Sequence, residues 1–233
     1  MTLSGAEAHH AVAVLRVRTG EPITVLDGCG REFHGQVGHV GKHSVTLEIS
    51  DRRERPVRSC EVHLAVALLK GRAWDAVLEK ATELGAASIQ PLSVDRCVAR
   101  VTAEDVTSKI AGWRATTIAA AKQCGTPWLP TLSAPQRLEA WIQSGKQEGR
   151  TTERRLVASL ESEAVTIRAA LSGGPHRRIT VVIGPEGDFT PAEYGQLHSA
   201  GVVAVTLGSL ILRADTAVIA ALAVCAAELR EMG

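Results

Sequence analysis

The chain has 233 residues, 45% hydrophobic and 22% charged, with 26 Lys plus Arg against 25 Asp plus Glu. That is the composition of a globular protein with one large domain or two small ones, and a net charge of +1 excludes bulk basicity as the sign of a nucleic-acid partner, so any positive surface must be local. No apolar run has membrane-spanning length, the MTLSGAEAHH start lacks a basic segment ahead of an apolar core, and the five cysteines form no C-x-x-C, which points to a reducing, cytoplasmic setting without disulfides or zinc.

Residues 6–17 read as a short helix ahead of Gly20. Three candidate strands follow: ITVLD (23–27), EFHGQVGHV (32–40) and SVTLEIS (44–50). Glycines at 28, 30, 35, 38 and 41 punctuate them, which predicts a small β-barrel or meander. His39 and His43 follow a strand pattern, share no helical face and do not read as metal ligands. DRRERPVR (51–58) reads as a solvated linker, dividing the chain into domains 1–58 and 59–233.

From residue 60 the rhythm changes to alternating strands and helices. VHLAVALL (62–69) is a predicted strand, and 72–85 a helix with Trp74, Val77, Leu78, Ala81 and Leu84 on one face. A strand at 88–94 precedes a long helix capped by Thr102 with Asp105, carrying Trp113, Thr117, Ala121 and Cys124 at helical spacing. Trp74 and Trp113 read as core, and Cys124 as packing rather than as a thiolate nucleophile. Next come a helix near 135–143, a polar surface loop (144–154), a strand (155–160), a helix (162–171) and a loop (172–178). The strand ending in VVIG, a helix from 191, a strand at 202–208 and a last helix complete the chain. The alternation predicts an α/β fold with a mostly parallel sheet covered on both faces.

Two stretches carry chemical information. In VVIGPEGDFTPAEY a buried strand runs through Gly184 and Gly187 into a helix signalled by Thr190, Pro191 and Glu193. In VTLGSLILRADTAVIAALAVC a strand ends at Leu207-Gly208, and Asp215 or Thr216 would cap a helix apolar on nearly every face. Such a helix is expected to be buried inside the domain and in a subunit interface. Neither loop is G-x-G-x-x-G or a P-loop, neither has a lysine at its helix start, and Glu186 and Asp188 would repel a polyphosphate. The loops therefore suit a ligand without phosphates, such as an adenosyl sulfonium held by backbone groups and by Leu207, Ile211 and Leu212.

The pair IGPEG (183–187) and LG-x-x-ILR-x-D-TA (207–217) resembles the paired motifs of the bacterial small-subunit (16S) rRNA uridine-N3 methyltransferases, of the SPOUT superfamily. HH-x-x-x-VLR (9–16), LLKG (68–71), EKATELG (79–85), DRC (95–97) and AAKQCG (120–125) match in the same order. The resemblance implies a PUA-like barrel that helps grip RNA, then a SPOUT domain with a trefoil knot whose loops hold S-adenosylmethionine. It implies homodimers and N3-methyluridine in the small-subunit RNA, free or within an assembling 30S subunit, with neither membrane nor metal. The sequence departs from the pattern at Asp188 (usually Gly), at Leu210 (often basic or polar) and at Asp215 (usually Glu). A SPOUT enzyme acting on tRNA or another rRNA site, or a non-catalytic RNA-binding assembly protein, are the alternatives.

By resemblance and loop logic together, Leu160, Gly184, Gly187, Leu207, Gly208 and Leu212 line the cofactor pocket. Arg213 is the candidate cation for charge building on the uracil carbonyls. Glu186 is the candidate base or cofactor-amine contact. Arg16, Arg18, Lys70, Arg72, Arg96 and Lys122 are candidate RNA contacts.

Overall fold

The computed structural model describes residues 1–147 and 153–231. The chain divides into two units, Met1–Val57 with Gly125–Trp128, and Arg58–Cys124 with Leu129–Gly233.

In the first unit, β1 (Thr2–Ser4), β2 (Pro22–Leu26), β3 (Arg31–Val40) and β4 (Ser44–Glu54) form an antiparallel sheet in the order β1-β4-β3-β2. Val45 and Leu47 point inward and Thr46 and Glu48 outward, the period of a half-buried strand. With Val37 they pack on Ala8 and Ala11. Those alanines belong to α1 (Gly5–His9) and the π-helical turn His10–Val14 that continues it, so the helix expected at 6–17 is shorter and begins earlier. A β carbon at Gly30 would collide with the Trp128 ring, and Gly30 N–H donates to the Pro127 carbonyl at 2.9 Å. Glycine there lets the 125–128 segment lie against the β2–β3 turn.

The linker expected at 51–58 is half strand. Asp51–Glu54 extends β4 and pairs with Arg31–His34. Cross-strand chemistry explains this: Arg55 binds Glu32 at 2.7 Å, and the Arg52 guanidinium lies 5.8 Å from the Phe33 ring centre. Opposite charges tolerate strand pairing where a pattern search reads only a charge run.

In the second unit the strands are β5 (Glu61–Ala67), β6 (Ser88–Ser93), β7 (Thr131–Leu132), β8 (Gln136–Arg137), β9 (Glu153–Ala158), β10 (Val165–Thr166), β11 (Arg178–Ile183) and β12 (Val203–Thr206). They form one sheet, β10-β12-β9-β11-β5-β6-β7, with β8 also on β6, and every pairing is parallel. The helices are α2 (Arg72–Glu83), α3 (Val106–Cys124), α4 (Leu138–Gln147), α5 (Ile167–Leu171), α6 (Pro191–Ser199) and α7 (Ala214–Glu231). Along β11, Ile179, Val181 and Ile183 join the core under α2, α3, α5 and α7, while Val182 joins the core under α4 and α6. A parallel sheet covered on both faces thus accounts for the unbroken apolar runs.

Trp74 and Trp113 are core residues with ring centres 5.1 Å apart, as expected. Cys124 is exposed instead of packed, because the last turn of α3 leaves the core. The helix expected at 162–171 splits into β10 and α5, since Thr166 caps the helix and accepts from Ala169 N–H. In the polar loop expected at 144–154, α4 runs on to Gln147 and β9 starts at Glu153; residues 148–152 lie outside the described ones. Among the described residues no helix is long and apolar enough to cross a membrane.

Candidate active site

Strands β9, β11 and β12 are neighbours in the sheet and run the same way, so their connections leave one edge together. That edge is where open α/β sheets hold ligands. Three loops enclose a cavity of about 300 Å³ there. Ser159 and Leu160 follow β9; Gly184, Pro185, Glu186 and Asp188 follow β11; Leu207, Gly208 and residues 210–213 follow β12. Ala217 of α7 adds a wall.

Most of the lining is apolar, and part of it faces water. Leu160, Leu210 and Ile211 are 60%, 76% and 82% exposed. Clustered apolar side chains left in water at a cavity mouth are a binding surface. Gly208 has φ 126°, a conformation that side chains rarely adopt, and its N–H meets Thr206 Oγ1 at 3.2 Å.

The loop after β11 is held from three sides. Asp188 N–H donates to the Pro185 carbonyl at 2.9 Å, closing a turn. Arg96 donates to the carbonyl of Gly187 at 2.8 Å and approaches that of Phe189 at 3.5 Å. Buried Glu193 completes the capping box with Thr190 and also accepts from Asp95 N–H at 2.8 Å. The D-R-C stretch at 95–97 therefore braces this loop. Neither Gly184 nor Gly187 has positive φ; the left-handed residue is Asp188, with φ 61°. Its Oδ1 accepts from Phe189 N–H and from the Tyr194 hydroxyl, both at 2.8 Å. Burial first of all, and then the bond to Asp188, raise the Tyr194 hydroxyl's pKa, so it stays a donor.

The cavity brings together Leu160, Gly184, Glu186, Leu207, Gly208, Leu212 and Arg213. Gly187 does not line it, since the loop turns it towards the stem of Arg96, whose Cβ would lie 3.5 Å from a β carbon there. Asp215 and Thr216 do not cap α7. The helix starts at Ala214, ahead of both, and the Arg213 carbonyl accepts from Ala217 N–H at 2.8 Å. Sequence reasoning missed Ser159 and Asp188 as lining residues. The family-breaking aspartate was the available signal for the second; nothing marks the first. Arg213 and Glu186 are exposed, and neither side chain makes a hydrogen bond or ion pair among the described residues.

Arg16 and Arg18 lie on the surface of the first unit. Lys70 and Arg72 flank Gly71 at the start of α2, and Lys122 lies in the last turn of α3, all exposed. Arg96 is exposed too, with its guanidinium engaged by the loop. Burial pushes the thiols of Cys60, Cys97 and Cys225 up, the last to about 12, the reverse of what a nucleophile needs. Among the described residues no three His, Cys, Asp or Glu gather as a metal site. A cavity with aliphatic walls, two carboxylates, one guanidinium and no lysine suits a flat apolar group bearing a positive charge.

Two family models cover the chain, an RNA methyltransferase PUA domain over residues 3–50 and an RNA methyltransferase domain over residues 56–226. The class is therefore that of two-domain RNA methyltransferases. Curated relatives named ribosomal RNA small subunit methyltransferase E match at 32% identity. The one from Synechocystis aligns over 96% of this chain and 71% of its own length, and that of Mycobacterium tuberculosis over 94% and 83%. A Neisseria gonorrhoeae structure of that name, bound to S-adenosylmethionine, superposes with TM-score 0.85 at 29% identity, covering 96% of this chain and 90% of its own. A Legionella pneumophila structure with S-adenosylmethionine bound has TM-score 0.87 at 30% identity, covering 100% and 92%. The chain belongs to the family of small-subunit ribosomal RNA methyltransferases E.

Proposed function

We propose that this protein methylates N3 of a uridine in small-subunit ribosomal RNA, with S-adenosylmethionine as donor. The observation that carries the reading is the lysine-free, mostly aliphatic cavity at the edge of β9, β11 and β12, with Arg213 and Glu186, neither ion-paired among the described residues, at its mouth. The residues present fit the donor: Leu207, Ile211, Leu212 and Ala217 suit an adenine, and Glu186 and Asp188 suit its cationic part. Bound there, the donor supplies an electrophilic methyl group.

Uridine N3 carries a proton at neutral pH, so the base must lose that proton while the new N–C bond forms. Arg213 stabilises the negative charge that then spreads onto the uracil carbonyls, and Glu186 takes the proton or holds the donor's amine. Alignment of N3 on the methyl carbon contributes the largest share, on the order of 7–11 kcal/mol. Residues 1–58, with Arg16 and Arg18, grip the RNA, and residues 59–233, through Lys70, Arg72, Arg96 and Lys122, guide it to the cavity. Support for a homodimer comes from α7, where Ile219 and Val224 remain exposed in the single chain. The family's trefoil knot and a cytoplasmic site of action complete the reading.

The test is to incubate purified protein and S-adenosylmethionine with small subunits, and separately with free small-subunit RNA, from cells lacking the gene, then to analyse the nucleosides by mass spectrometry. N3-methyluridine is expected in one substrate. A methyl group on another atom, or none while the donor binds, overturns the assignment.

A further inference from the structure

We propose that Asp188 selects the charged methyl donor over its neutral product: its free carboxylate oxygen pairs with the sulfonium. This rests on the donor reading above. Asp188 lines the cavity in a left-handed backbone conformation that costs any residue with a β carbon, and aspartate least among the charged ones. Its Oδ1 is fixed twice, by Phe189 N–H and the Tyr194 hydroxyl. Those bonds leave Oδ2 without a partner among the described residues, on a side chain locked in one orientation at the cavity wall.

A half-buried carboxylate with one unused oxygen invites a cation. The donor offers two. Its ammonium belongs to a strongly hydrated zwitterion with its own carboxylate, which favours the exposed rim where Glu186 stands. Its sulfonium is weakly hydrated and bonded to the adenosyl group, so it enters with the apolar part. Asp188 is the less exposed of the two carboxylates and sits deeper, its Oδ1 3.4 Å from where a β carbon on Gly184 would be. Methyl transfer turns the sulfonium into a thioether, and the attraction to Asp188 vanishes with the charge. The residue therefore holds the donor and releases the product.

Calorimetry tests this with wild type, Asp188→Asn and Asp188→Gly, each titrated with S-adenosylmethionine, S-adenosylhomocysteine and an analogue carrying a protonated amine in place of the sulfonium. Asparagine keeps Oδ1 and tolerates the backbone conformation, and glycine relieves it, so the two variants fail differently if folding is at issue. The expected result in both is about a tenfold loss for the donor and the charged analogue, with the thioether changed less than about twofold. An unchanged donor-to-product ratio, whether both affinities fall together or neither moves, overturns the role of Asp188. A wild type that binds the thioether and not the donor does the same. Failure of the wild type to bind either sinks the donor reading itself.

Discussion

Arg213 shows how much a single side chain is asked to do. It reaches the cavity from the turn before α7 and has no ion-pair partner among the described residues to blunt its charge. A cation aimed at charge that appears only during reaction raises turnover without tightening the ground state. Arg213→Ala is expected to lower kcat by about 10²–10³-fold while leaving donor affinity within about threefold, read by single-turnover kinetics and calorimetry. Equal loss of both would take Arg213 out of the chemistry.

His63 is the other informative single residue. It is buried on β5, with Nδ1 2.7 Å from Ser88 Oγ and Nε2 3.3 Å from Glu61. Burial and the charge of Arg178 push its pKa down to about 4, against the opposing pull of Glu61 and Glu153. A lowered histidine stabilises the fold above its unfolded value of 6.5, and that stability is lost as pH falls towards about 4. Below pH 6.5 the unfolded chain binds the proton and the native one does not, which amounts to up to roughly 3 kcal/mol. The midpoint of thermal unfolding is expected to drop across this range, and His63→Asn to flatten that slope. Glu153 adds to acid sensitivity lower down. Burial raises its pKa, but bonds from Arg155 and Thr180 outweigh this and leave it lowered.

At the scale of elements, the binding edge depends on one carboxylate linking two loops. Glu193 is the third residue of α6, closes its capping box and holds Asp95 of the loop after β6. Glu193→Ala leaves the Thr190 cap but removes the acceptors of Thr190 N–H and Asp95 N–H, at a cost of about 2–3 kcal/mol in denaturant unfolding. A loss below about 0.5 kcal/mol would show the brace to be idle. The start of α6 was legible because T-P-A-E writes the cap into four residues. The start of α7 was misread by at least two residues: the helix begins at Ala214, and Asp215, a cap-type residue, lies inside the first turn, where its Oδ1 accepts from Thr216 N–H. The strand at 51–54 was unreadable for another reason: backbone pairing and cross-strand charge pairs sustain it, and neither leaves a hydrophobic period.

For the whole molecule, α7 raises the question of a second copy. Ala214, Ala217, Val218, Ala221, Leu222 and Cys225 are buried, while Ile219 and Val224 are 37% and 40% exposed. The expectation of burial all round is therefore met on one face only within a single chain. Replacing both exposed residues by lysine leaves the core untouched. The double variant is expected to sediment as a monomer where the wild type sediments as a dimer. A monomeric wild type, or a dimer that survives both lysines, would remove α7 from the interface.

The amino-acid sequence by itself determined the alternation of elements, the two-sided parallel sheet and the place of the two connections after β11 and β12, since each rests on periodicity or caps local to a dozen residues. Only the tertiary structure decided which residues share a cavity. It turned Gly187 away, brought Ser159 and Asp188 in, and bound Arg96 to a loop 91 residues further along the chain. Contacts across such separations depend on strand order, and strand order is settled by packing the whole sheet between its helices.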